Sequence, residues 1–82
     1  MRILPVHPEI RAYVSKHNLD KKFEKQKRLF ELDHRHPSLR TELLEPKYAR
    51  IFSFRIDRKY RAIFIFRAHD TIEILDVNNH YA

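Results

Sequence analysis

The sequence predicts an α+β domain in which an N-terminal helical hairpin packs on one face of a C-terminal antiparallel β-sheet. Two observations carry this. Apolar residues recur at helical spacing through the first 34 residues, then alternate with a period of two from Arg50 onward. The connections in the second half are also too short for the crossovers that parallel strands need.

The first helix is expected over residues 8 to 17. Pro8 suits a first turn, and Ile10, Tyr13, Val14 and His17 share one stripe. Asn18 fits its stop. A second helix is expected from an N-cap at Asp20 to about His34, burying Phe23, Leu29 and Phe30 and leaving Lys21, Lys22, Lys25, Lys27 and Arg28 in water. Pro37 closes that region, because a residue preceding proline is pushed out of the α conformation.

From Arg50, Phe52, Phe54 and Ile56 alternate with Ile51, Ser53 and Arg55. Tyr60, Ala62, Phe64 and Phe66 then alternate with Arg61, Ile63, Ile65 and Arg67. A third strand is expected from Thr71 to about Val77. If Asp57-Arg58-Lys59 is a three-residue turn, Ile56 lies opposite Tyr60 and Arg55 opposite Arg61. One face is then aromatic and suited to cover by the helices, while the other mixes apolar and cationic side chains and is expected to be open. The chain has no Gly, so turns that need positive φ fall to Asn18, Asp57, Asp70 or the Asn78-Asn79 pair.

Composition bounds the function. Of the residues, 43% are hydrophobic and 34% charged, an ordinary globular balance that separates the chain from disordered sequences. One continuous domain, residues 1 to 82, is the reading. With no Cys, neither disulfides nor thiolate zinc sites are available. Asp33-His34-Arg35-His36 lacks ligand spacing and a second cluster, so no metal or other cofactor is assigned. The opening run to Val6 is broken by Pro5 and is too short for a membrane span, so a cytoplasmic protein with no membrane partner is expected. The net charge of +6 favours polyanionic partners.

That charge is concentrated. Residues 50 to 67 hold Arg50, Arg55, Arg58, Lys59, Arg61 and Arg67 against Asp57 alone. Arg50, Arg55, Arg58, Lys59 and Arg67 are the candidate RNA contacts, and Arg61 is the residue singled out among the six. Like charges directly opposed on a sheet are destabilising, so the Arg55 and Arg61 pair calls for a reason, and a bound phosphate would supply one. Arg50, Arg58, Lys59 and Arg67 also read as solvated turn and strand-end residues, whereas Arg61 lies in mid-sheet.

The string from Tyr48 to Phe64, with His36-Pro37-Ser38-Leu39 before it and Asn79-His80-Tyr81 after it, resembles the RelE/ParE superfamily of toxins from type II toxin-antitoxin systems. The similarity spans residues 20 to 82. It implies one of two activities: ribosome-dependent mRNA endonuclease, or DNA gyrase inhibition of the ParE type without nuclease chemistry. In the YoeB-like ribonuclease branch a mid-sheet Arg, a C-terminal His-Tyr pair and an upstream Glu form the catalytic set. Arg61, His80 and Tyr81 match these positions, and Glu42 is preferred over Glu45 for the last. The chain departs from the family pattern in a short first strand interrupted by Pro5 and in Ala82 after the terminal Tyr.

Such a site makes chemical sense for metal-free cleavage. Attack of a 2′-OH on the adjacent phosphorus needs a base, an acid and a cation for the charge on the phosphorane. Glu42 and His80 can form the acid–base pair, Arg61 and Arg55 can hold the phosphate, and Tyr81 can stack an unpaired base. His80-Tyr81 also reads as an aromatic cap on the sheet, and the basic surface alone would suit a simple RNA-binding module. The resemblance further implies a cognate antitoxin, with the oligomeric state set by that complex, and mRNA and ribosomal RNA as targets.

Overall fold

The computed structural model describes residues 1–80. Its elements run β1 (Arg2–Ile3), α1 (Pro8–Lys16), α2 (Asp20–Leu32), a 3-10 turn at Pro37–Leu39, β2 (Glu42–Leu43), a 3-10 turn at Lys47–Ala49, β3 (Phe52–Arg55), β4 (Arg61–Ala68) and β5 (Thr71–Asn78).

Pro8 begins α1, with Glu9 in the first turn and Lys16 in the last, both suited to the helix dipole. Ile10 and Val14 face inward. Asn18 turns the chain at φ 56°, as its short polar side chain allows. Leu19, not Asp20, caps α2; Asp20 is the first helical residue and accepts a hydrogen bond from Ser15 Oγ at 2.8 Å. Phe23, Gln26 and Phe30 form the buried stripe of α2, which stops at Leu32, short of the expected His34.

The sheet has five strands in the order β1-β5-β4-β3-β2. The meander β3-β4-β5 is antiparallel as expected, but β1 joins β5 in parallel, so the sheet is mixed. The two extra strands are two-residue edge pairings, too short to show a period in the sequence. Both helices cover the aromatic face. Phe23 and Phe30 pack there with Phe54, Phe64, Ile72 and Ile74, all at most 1% exposed. Burial of these large side chains is the main stabilising term of so small a domain. Phe66 departs from expectation: it is 41% exposed, beside an irregularity in the β4–β5 register.

Left-handed backbone occurs at Asn18 as expected, and also at Arg40 and Arg50, each closing a 3-10 turn; Asp57 and Asp70 do not adopt it. No described helix is long and apolar enough to cross a membrane.

Candidate active site

The hairpin of β3 and β4 places Arg55 opposite Arg61, the register that the three-residue turn predicts. Asp57 makes this turn possible without Gly. Its Oδ1 accepts the backbone N–H groups of Lys59 and Tyr60, both at 2.8 Å, and Lys22 reaches its other oxygen at 3.3 Å. Burial works to raise the Asp57 pKa, but these three bonds outweigh it and hold the carboxyl below its usual range.

The opposed arginines do not need an anion to coexist, because their side chains diverge. Arg55 points toward the hairpin turn and donates Nε to the Asp57 carbonyl at 3.2 Å. Arg61 turns the other way: Nε donates to Ser53 Oγ at 2.8 Å, and Nη2 donates to the carbonyl of Arg40 and, at 3.5 Å, to that of Ser53.

The face expected to be open is closed around this residue. Arg61 is 6% exposed, Ser53 0% and Ile63 7%. Alternation assigns a side chain to a face but not the loop that lies over it, and here the chain returning through Arg40 covers the guanidinium. Nη1 of Arg61 makes no hydrogen bond among the described residues. Burial lowers the Arg61 pKa, Glu42 opposes that, and Arg55 and Arg40 add to it. The group is a held, charged fork, fixed through Nε and Nη2.

Glu42 lies on β2 opposite Ser53, is exposed, and is the carboxylate whose field acts on Arg61; Glu45 is not among those charges. Asn78, the last residue of β5, pairs with Arg61 across the sheet. Its Oδ1 accepts the backbone N–H of His80 at 3.1 Å, while its Nδ2 donates to Asp76 at 2.8 Å. His80 is exposed just beyond the strand end nearest Arg61, and its imidazole makes no hydrogen bond among the described residues. Tyr81 lies outside the described residues.

The other predicted cations separate. Arg58 and Lys59 stand exposed at the hairpin tip. Arg50 stacks on Phe52, 5.1 Å from the ring, on the aromatic side. Arg67 is taken by Glu73 at 2.6 Å, far along β4 from Arg61. Sequence reasoning missed Ser53 and Arg40. A lone hydroxyl between Phe52 and Phe54, on the same face as Arg61, could have pointed to Ser53, whereas no local pattern announces Arg40.

No protein-family model matches the sequence, and a search of curated proteins finds no relative. Solved structures do match. A YoeB/ParE toxin from Agrobacterium tumefaciens superposes with a TM-score of 0.71 at 15% identity, covering 99% of this chain and 100% of that one. The heterotetrameric complex of YoeB-YefM toxin-antitoxin from Staphylococcus aureus gives 0.68 at 18%, covering 98% and 94%. A second YoeB-YefM complex from Staphylococcus aureus gives 0.64 at 20%, covering 99% and 98%. At such identities the likeness is one of fold: this chain has the YoeB/ParE-type fold that the sequence resemblance implied.

Proposed function

We propose that the protein is a toxin of a type II toxin-antitoxin system and cleaves mRNA on the ribosome by 2′-OH attack. The observation that carries the reading is the buried Arg61 guanidinium. A cation held by Ser53 and Arg40, within the field of Glu42 and paired across the sheet with the His80 end of β5, is preorganised for a phosphoryl group.

In the proposed reaction, Glu42 and His80 flank the phosphate as base and acid. One takes the 2′-OH proton as oxygen attacks phosphorus, the other gives a proton to the departing 5′-oxygen, and a 2′,3′-cyclic phosphate is left. Nη1 of Arg61 meets the charge that builds on the phosphorane. Tyr81 stacks a base, and Arg55, Arg58 and Lys59 guide the strand. An exposed, sparsely supported acid–base pair suffices where the ribosome positions the substrate, since positioning is a large part of the barrier. Two of the structural neighbours are complexes with the antitoxin YefM, and the net charge of +6 suits an acidic antitoxin for this chain.

The test is a translating extract programmed with one mRNA, comparing wild type with Arg61→Ala and His80→Ala. Cuts within ribosome-occupied codons that disappear in both variants support the reading. Intact mRNA together with loss of DNA supercoiling by gyrase would replace it with a ParE-type inhibitor.

A further inference from the structure

Beside the Arg61 site, α2, the Pro37–Leu39 turn and the β3–β4 turn enclose an open cleft of about 580 Å3. Lys22, Lys25, Arg40 and Arg55 line it against one acid, Asp57. That acid is largely spent on the two turn N–H groups and on Lys22. Lys25 and Arg40 have no ion-pair partner among the described residues.

The walls are fixed. Gln26, 7% exposed, donates Nε2 to the carbonyls of Arg55 at 2.8 Å and Ser38 at 3.4 Å, tying α2 to both opposite walls. The cleft is therefore a built concavity of one sign, the form that concentrates anions. Two of its lining residues also neighbour Arg61. Arg40 and Arg55 line the cleft, act electrostatically on Arg61, and through the Arg40 carbonyl hold its guanidinium.

We propose that this cleft is a second phosphate site, which takes the sugar-phosphate backbone of a single RNA strand flanking the phosphate held at Arg61, with Lys22 and Lys25 as its contacts. It deepens the RNA-cleaving reading and rests on it for the identity of the strand. A shared wall of arginines favours a continuous polyanion over an isolated small anion, and an open cleft lined by four cations suits a strand passing through.

The test uses the full chain and a fluorescent 2′-O-methyl RNA dodecamer, which 2′-OH attack cannot cleave, with anisotropy measured at several salt concentrations. Lys22→Gln/Lys25→Gln is expected to weaken binding about tenfold at low salt. It should also flatten the slope of log K against log salt by about 1.4, since each phosphate contact on a single strand contributes about 0.7. Lys25→Gln alone, which breaks no ion pair, should give half that change in slope with an unaltered melting temperature, and Lys47→Gln, outside the cleft, should give none.

An unchanged slope in the double variant overturns the proposal, as does a wild type that shows no salt-dependent binding. Loss of affinity for a poly-glutamate peptide but not for RNA also overturns it, in favour of an acidic protein partner. Lysine-dependent binding by a protein that leaves mRNA intact in the extract sustains the cleft while removing the nuclease; cleavage with an unaltered slope does the reverse.

Discussion

Arg61 donates from Nη2 to the main-chain carbonyl of Arg40, a residue held in the left-handed region at φ 43° and ψ 49°. The proposed phosphate ligand is thus positioned by backbone as well as by the Ser53 hydroxyl. Arg61→Lys keeps the charge but cannot span both acceptors, because an ammonium lacks the planar fork. Cleavage should fall at least about 100-fold, and leaving either the part-buried Arg40 carbonyl or the buried Ser53 hydroxyl without its donor should cost about 1–3 kcal/mol. Cleavage mapping and urea unfolding measure the two separately. Lost stability with undiminished cleavage would make Arg61 purely structural.

Arg40 gives a second prediction. Its Cβ is unfavourable in the left-handed region, whereas the carbonyl that Arg61 uses belongs to the backbone. Arg40→Gly should therefore be more stable than Arg40→Ala by about 1 kcal/mol, the strain being relieved only in the former. Urea midpoints at equal m-values check it; equal midpoints would mean the 3-10 turn had rearranged.

These two residues also mark how far the sequence could be read. The pairing of Arg55 with Arg61 is legible because a period of two and a short turn leave one register that buries the aromatic face. The left-handed Arg40 is not, since its conformation answers a tertiary demand for a carbonyl at Arg61, and Arg has no local preference for it. Closure over Arg61 is invisible for the same reason. Glu42 is legible through family resemblance, and the geometry separates it from Glu45 only through its field at Arg61. Arg50 and Arg67 read as RNA contacts in sequence, while their neighbours Phe52 and Glu73 are supplied only by the folded sheet.

Asp57 is the turn-maker of a chain without Gly. Asp57→Ala removes the acceptor for two backbone N–H groups and should cost about 1–2 kcal/mol. Its pKa is lowered on folding, so its stabilising contribution is present above the unfolded value of about 3.9 and fades as pH falls through the lower folded value. Asp57→Asn keeps an oxygen acceptor and does not titrate. The stability advantage of wild type over Asp57→Asn should shrink between pH 6 and pH 2, read by urea unfolding; a constant gap would rule out the linkage.

Gln26 is a buried amide in an otherwise apolar stripe, and its two acceptors are main-chain carbonyls. Gln26→Leu matches the volume but strands the Arg55 and Ser38 carbonyls, so a loss of about 1–3 kcal/mol is expected despite the more hydrophobic side chain. Thermal unfolding at fixed pH decides. A gain in stability would mean that water replaces the amide at both carbonyls.

His80 and Glu42 are exposed, and neither supports the core. Substitutions there should leave folding within about 0.5 kcal/mol of wild type. Each of His80→Gln and Glu42→Gln should reduce cleavage by about 100-fold or more if the two exchange protons with the same reacting phosphate. Groups that act in one step are not additive, so the double variant should be little slower than the worse single one. Two independent contributions would multiply instead, leaving a rate near the product of the separate losses. Single-turnover cleavage rates on stalled ribosomes distinguish these outcomes. Multiplicative losses would show that one of the two assists positioning of the RNA while the other carries the proton transfer.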